Sequence, residues 1–497
     1  MKSHLLKLFL VFGIAAFLAI FSGYYIVAND YVMVLYILAV IIGVSAALFS
    51  SYLALFSIGL LCPFVLPLPY VSRFPFLFFI LTISLGRFIF QGWFRPSPER
   101  LKLVIFPIGV FFSWVLIRYC LNPNIPNLSG YGDSISGFRS YLNYLLCFLV
   151  FVAIGIFVRD RAGAVRLVSC LKNTCLFFAL LLIALVFTKS MAVAAVLSWL
   201  GVSVQLFDNG FLRFVILPFF GTVLLGVSLL PRILSLSRFA RVSIQLLAWI
   251  AILVSGTRSG VLMGLAMVCC IFFLKRRFAR LGCLVSLAIL STVALHFVGE
   301  AFPTIGRIGF LRFVTLTSDR VAANSDAQDS ITWRKLRWTR AIEDIKRSPV
   351  IGMGYGGLEN AFVLRDYQQA QEEMVEIDVV SGGIHNGYLT SARALGIPGA
   401  LLFIYIMLSQ MFDNMRCSRR YEKSDPLMSD LHCLILANLV AFTLTIYIGT
   451  DVNVPLLWCF LGFGLLLQRI RKKEARALTP KSAAAACDFD AKVATAC

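Results

Sequence analysis

The chain has 497 residues, 59% of them apolar and only 14% charged, with a mean hydropathy of +0.86. Soluble chains carry about 25% charged and about 45–50% apolar residues, so a string of soluble domains and a disordered chain are both excluded. Lys and Arg outnumber Asp and Glu by 45 to 25, a net charge of +20; many of the bases sit in short loops between apolar runs, where they read as topology determinants rather than a nucleic-acid surface.

The basic start, Lys2 and Lys7, leads into an apolar run at 8–27. No small-residue cleavage site follows and a second run begins at once, so this reads as an uncleaved first span. Further runs of membrane-spanning length fall near 31–49, 52–70, 76–93, 103–119, 141–158, 168–187, 213–230, 241–256, 260–275, 281–299, 396–413, 431–449 and 454–469. Alternate loops are basic: Arg95, Arg100 and Lys102; Arg159, Arg161 and Arg166; Arg232, Arg238 and Arg241; Lys275, Arg276, Arg277 and Arg280; Arg416, Arg419, Arg420 and Lys423; and the tail from Arg469. The pattern predicts an all-α polytopic membrane protein of about 12–14 transmembrane helices with both termini cytoplasmic and one large periplasmic loop containing short helices. Four regions follow: N-terminal helices over 1–240, a region at 241–410 that includes the loop at about 300–390, C-terminal helices over 411–469, and a disordered cytoplasmic tail at 470–497. Most of the 13 cysteines lie in apolar runs and none forms a CxxC pair, which argues against zinc and thiol redox chemistry.

Four polar features stand out. The turn from Ser255 to Gly260 carries Arg258 between two short spans; its planar fork suits phosphate oxygens, and a snorkelling interfacial arginine is the plain alternative. Next, Ser330 to Ser348, stopped by Pro349, reads as one amphipathic helix. Arg334, Trp338, Ala341 and Ile345 share its apolar face, and Arg337, Arg340, Asp344 and Arg347 form a solvated one. An arginine on a packed face needs an anionic partner or must snorkel. The glycines from Gly352 to Gly357 follow, with no strand before them and no Walker lysine after, so they read as a tight turn. Last comes His385-Asn386 at the end of the loop. Of four histidines, His385 alone is placed on the outer face beside other polar candidates, and imidazole suits a general base. Arg213 reads as an interfacial anchor or a further phosphate contact, Arg87 as an intramembrane cation needing a partner, and Asp451 and Arg393 as residues able to orient His385 or an acceptor. Asp488-Phe-Asp490 resembles a metal-binding DxD by chance, on the wrong side of the membrane.

Taken in order, the Thr257-Arg-Ser259 turn, the Arg334 and Trp338 helix, Pro349 with Gly352-Met-Gly354, and His385-Asn386 separated by nine residues from Gly396-Ile-Pro-Gly399 resemble the O-antigen ligase and polysaccharide polymerase superfamily over roughly 240–410. The resemblance implies a metal-independent, inverting glycosyltransferase of the bacterial inner membrane, with no cofactor. Its donor is an oligosaccharide linked to undecaprenyl diphosphate. Its acceptor is lipid A-core for a ligase or another lipid-linked glycan for a polymerase. The remaining expected partners are membrane lipids and, as a further candidate, the polysaccharide export machinery; nucleic acid is not among them. On this likeness His385, Arg258 and Arg334 are catalytic, and Arg258, Arg334, Arg213 and Asn386 bind substrate, with no metal ligand. The chain departs from the family in having more spans than its norm and in reading Thr-Arg-Ser at the turn. The alternative is a transporter that flips lipid-linked oligosaccharide; Arg87 and Lys172 are its only support, while the candidate residues cluster on one face.

Overall fold

The computed structural model describes residues 52–61, 65–68, 71–75, 81, 106–121, 138–187, 204–206, 212–302, 327–355, 375, 379, 383–449 and 452–471. Over these the chain is an all-α polytopic membrane protein. Its elements are α1 (Tyr52–Leu61), an antiparallel hairpin of β1 (Val65–Leu68) and β2 (Val71–Pro75), α2 (Phe106–Leu121), α3 (Phe138–Phe157) and α4 (Arg161–Val186). A second hairpin of β3 (Val204–Leu206) and β4 (Leu212–Phe214) precedes α5 (Leu217–Leu229), α6 (Arg238–Val254), α7 (Arg258–Leu274) and α8 (Phe278–Ala301). Then come α9 (Ala327–Arg347), α10 (Gly387–Arg420), α11 (Pro426–Ile448) and α12 over 455–471. Among the described residues five helices are long and apolar enough to cross a membrane, namely α3, α4, α8, α10 and α11.

Several expectations shift. The span read at 52–70 ends at Leu61 and gives way to the first hairpin, because Pro67, Pro69 and Pro75 cannot propagate a helix. The loop helix expected over Ser330–Ser348 runs from Ala327 to Arg347, starting three residues earlier. The expected spans at 8–27, 31–49 and, apart from Leu81, 76–93, together with Arg87, Asp451 and the tail beyond 471, lie outside the described residues.

Helix starts are written in the sequence. Asp160 accepts from the Gly163 N–H at 2.6 Å, Ser237 from Ala240 at 3.2 Å, and Asp425 from Met428 at 3.2 Å with Pro426 in the first turn. The outer surface is apolar: Phe177, Leu290, Phe297, Leu401 and Tyr405 are all exposed, as suits a chain whose solvent is hydrocarbon. Inside, the buried Trp458 ring stacks on Phe111 (5.4 Å) and packs against Phe112 (4.6 Å) and Phe403 (6.2 Å), joining α2, α10 and α12.

The helices run up and down, so polar residues sort to two ends. At one end Lys275 pairs with Asp430 at 2.6 Å and donates to Ser429 at 2.9 Å, while Arg161 forks onto Asp425. The basic loops expected from the sequence around Arg161, Lys275 and Arg419 meet here. We call this the basic end. The opposite end carries α9, the second hairpin, and the start of α10.

At that opposite end α10 is interrupted. Gly396 takes φ +75°, and a Cβ there would overlap the Val350 carbonyl. The break frees backbone groups that the 349–354 segment satisfies: Met353 N–H donates to Arg393 O (2.6 Å), Gly354 N–H to Ala394 O (3.1 Å), and Ile397 N–H to Pro349 O (2.7 Å). The glycines after Pro349 are therefore a turn that lets two backbones touch, with φ +77° at Gly352 and +78° at Gly354.

Lys275→Met leaves Asp430 buried and unpaired. It should destabilise the protein by about 3–5 kcal/mol, read as a lower thermal midpoint in detergent. Lys275→Met combined with Asp430→Leu should recover most of that loss, because an apolar pair removes the uncompensated charge.

Candidate functional site

His385 stands at the turn into α10. Its φ is +56°, a left-handed conformation that non-glycine residues adopt at a cost. Its neighbours hold it there. Ile384 is fully buried in a small cluster with Ala341, Val375 and Val379, flanked by Trp333, Trp338 and Leu389. On the other side, buried Asn386 caps α10, its Oδ1 accepting from the Tyr388 and Leu389 N–H groups at 3.1 and 3.2 Å. Between two buried residues the imidazole itself is exposed. Asn386, read above as a substrate contact, has its side-chain oxygen committed to this cap.

Trp338 ties α9 to the turn. Its Nε1 donates to the Ile384 carbonyl at 3.1 Å, and its ring lies 6.3 Å from that of Tyr447, at the end of α11. Arg334 is one turn before Trp338 on the same helix face. It is half-buried, and among the described residues no carboxylate of α9 pairs with it. Burial and the neighbouring Arg337 guanidinium lower its pKa from the ordinary arginine value, two penalties that an anion would relieve.

Asp344 is not on the solvated face. It is buried, accepting from Arg393 Nε at 2.8 Å, and Arg393 also donates to the Gly354 carbonyl at 3.1 Å. The inward stripe runs through Ala341 to Asp344 because a 3.6-residue period admits either Asp344 or Ile345 at that level, and Arg393 on α10 selects the acid. Arg393 thus works as the anchor of α9.

Arg258 opens α7 after a turn in which the buried Ser255 and Thr257 hydroxyls lie 2.9 Å apart and Gly256 has φ +61°. Helices α7 and α11 are antiparallel and joined at Lys275–Asp430. Arg258 and Tyr447 each lie seventeen residues from that pair, so both rise about 25 Å and reach the same level. Arg258 therefore stands at the height of Tyr447, whose ring touches Trp338. Arg213, on β4 opposite Gln205, belongs to the same end: it lies shortly before Pro218, against which Gly260 of α7 packs. All five candidates thus lie at one end of the bundle. The contacts join Arg334 to the His385–Asn386 turn through Trp338, and helix register brings Arg258 to that level, with Arg213 at the same end. Among the described residues no group of three or more His, Cys, Asp or Glu gathers as a metal site.

One residue escaped the sequence reading. Arg118, in the last turn of α2, is only 6% exposed and lies beside Gly354 and Tyr141. The rule that marks Arg87, a cation within an apolar run, marks it equally.

Comparison with known proteins gives two findings. Residues 243–404, about a third of the chain, match a family described as O-antigen ligase. That stretch runs from α6 into α10 and includes Arg258, Arg334, Trp338, Asp344, His385 and Arg393. An uncharacterized protein of Haemophilus influenzae is 27% identical over 161 residues, which is 32% of this chain and 39% of the relative. The chain thus spans about two fifths of that relative's length.

Asp344→Ala strands Arg393 as a buried unpaired cation and should release α9. Trypsin cleavage after Arg334, Lys335 and Arg337 in detergent should accelerate roughly tenfold or more. Lys275→Met, which acts at the basic end, should leave α9 cleavage near the wild-type rate.

Proposed function

We propose, on the premise that the chain belongs to the O-antigen ligase superfamily through residues 243–404, that it is a membrane glycosyltransferase. It moves glycan from an undecaprenyl-diphosphate-linked saccharide to an acceptor hydroxyl, as a polymerase or a ligase in surface polysaccharide synthesis. The observation that carries this reading is the Trp338–Ile384 hydrogen bond, which sets the Arg334 face of α9 beside the strained His385 turn.

The chemistry follows from the residues. His385 takes the proton of the acceptor hydroxyl, and the oxygen attacks the anomeric carbon. The bond from that carbon to the diphosphate oxygen breaks, and its electron pair leaves with the diphosphate. Arg258 and Arg334 neutralise the charge that develops there; preorganised donors of this kind are each worth about 2.7–4 kcal/mol. Attack opposite the leaving group inverts the anomeric centre, and no metal enters the scheme. Arg213 adds a phosphate contact at the rim, and Asn386 holds the His385 turn. The basic end faces the cytoplasm of a bacterial inner membrane, as the positive-inside rule requires, so that α9 and the site are periplasmic. Both termini are then cytoplasmic. The acceptor is lipid A-core or a second lipid-linked glycan.

His385→Ala should lower transfer by about 10²–10⁴-fold, the usual contribution of a positioned general base, while leaving the thermal midpoint close to wild type. Arg334→Ala should lower transfer and donor affinity together. Near-normal transfer by purified His385→Ala protein overturns the reading.

A further inference from the structure

We infer that Arg118 is an oxyanion-binding residue that grips the diphosphate of the lipid-linked donor from the α2 side; the inference rests on the function proposed above. Arg118 is 6% exposed, yet among the described residues no carboxylate pairs with it and its Nε has no hydrogen-bond acceptor. A buried guanidinium without an anion is costly, and the described residues do not neutralise it. Asp344 is committed to Arg393, which also donates to the Gly354 carbonyl.

The backbone of the 349–354 turn packs closely on the guanidinium. Gly354 faces Arg118 with no side chain: a Cβ there would come within 3.0 Å of a terminal guanidinium nitrogen and 3.1 Å of the Tyr141 hydroxyl. Tyr141 in turn accepts from the Tyr355 N–H at 3.4 Å, and the Tyr355 and Tyr144 hydroxyls lie 3.1 Å apart, so the loop is pinned beside the cation without supplying it an anion. A second buried polar atom lies level with the first. Trp114 Nε1 donates to the Leu395 carbonyl at 2.7 Å, which sets the register of α2 against α10. One turn on in α2 is Arg118; one turn back in antiparallel α10 is Ser391, fully buried, its hydroxyl without a partner. A planar fork and a hydroxyl at one level suit a phosphate oxygen. Ser391 is five residues along α10 from Asn386, about 7 Å, so the subsite adjoins the His385 turn.

The same chemistry would accept the carboxylate of an acidic sugar, and the test separates the two sources. Full-length protein in nanodiscs is titrated calorimetrically with geranylgeranyl diphosphate and, separately, with a glucuronate-containing oligosaccharide, using wild type, Arg118→Gln, Arg118→Lys and Arg258→Ala. We expect Arg118→Gln to bind the diphosphate about tenfold or more weakly at an unchanged thermal midpoint, and Arg118→Lys, which keeps the charge and loses the fork, to fall between. Wild-type diphosphate affinity in both Arg118 variants overturns the inference, as does a lowered midpoint with intact binding, which marks a purely structural cation. Loss of glucuronate binding with intact diphosphate binding overturns the diphosphate assignment. If Arg258→Ala weakens diphosphate binding while the Arg118 variants do not, this inference alone fails. If wild type binds no diphosphate, the proposed function falls with it.

Discussion

A buried ion pair, Arg393 to Asp344 at 2.8 Å, fixes an amphipathic helix that would otherwise be free to lie anywhere on the surface of the bundle. Such helices normally rest on a membrane by their apolar face alone, and that contact sets rotation only to within the width of the face and sets no register. Here the pair sets rotation, and backbone bonds from Met353 and Gly354 to Arg393 and Ala394 set register. The latter exist because α10 breaks at Gly396 and leaves backbone groups to be satisfied. Trp338 then falls on the Ile384 carbonyl, and Arg334 follows it.

The two ends of the bundle treat charge differently. At the basic end the buried acids have partners: Asp430 holds Lys275 and Asp425 holds Arg161. These contacts close the helix junctions and make a rigid base. At the α9 end, Arg118 and Arg334 are withdrawn from water without a carboxylate among the described residues. Cations in that condition bring an anion into the account, and a diphosphate at a membrane surface is one whose geometry matches a guanidinium fork.

Much of this was legible in the residues. Among the described residues the basic loops around Arg161, Lys275 and Arg419 gather at one end, and Gly352 and Gly354 lie in the turn expected after Pro349. What escaped was tertiary in origin. Pattern alone could not choose between Asp344 and Ile345 for the inward stripe, because the choice depends on Arg393 nearly fifty residues away. The first hairpin hid inside a continuous apolar run, where hydropathy outweighs the local veto of Pro67 and Pro69. Arg118 lies within the apolar run at 103–119, but its burial beside Gly354 comes from a turn far along the chain.

In the proposed reaction a diphosphate leaves as an acceptor oxygen enters from the opposite face. The most direct test is the anomeric configuration of the new linkage. Purified protein is supplied with an undecaprenyl-diphosphate oligosaccharide of known configuration in EDTA, with lipid A-core or with donor alone, and the product is read by NMR. The proposed mechanism gives one undecaprenyl diphosphate released for each new glycosidic bond, with the configuration inverted. A retained configuration, or intact donor carried across a bilayer with no new bond, would contradict it.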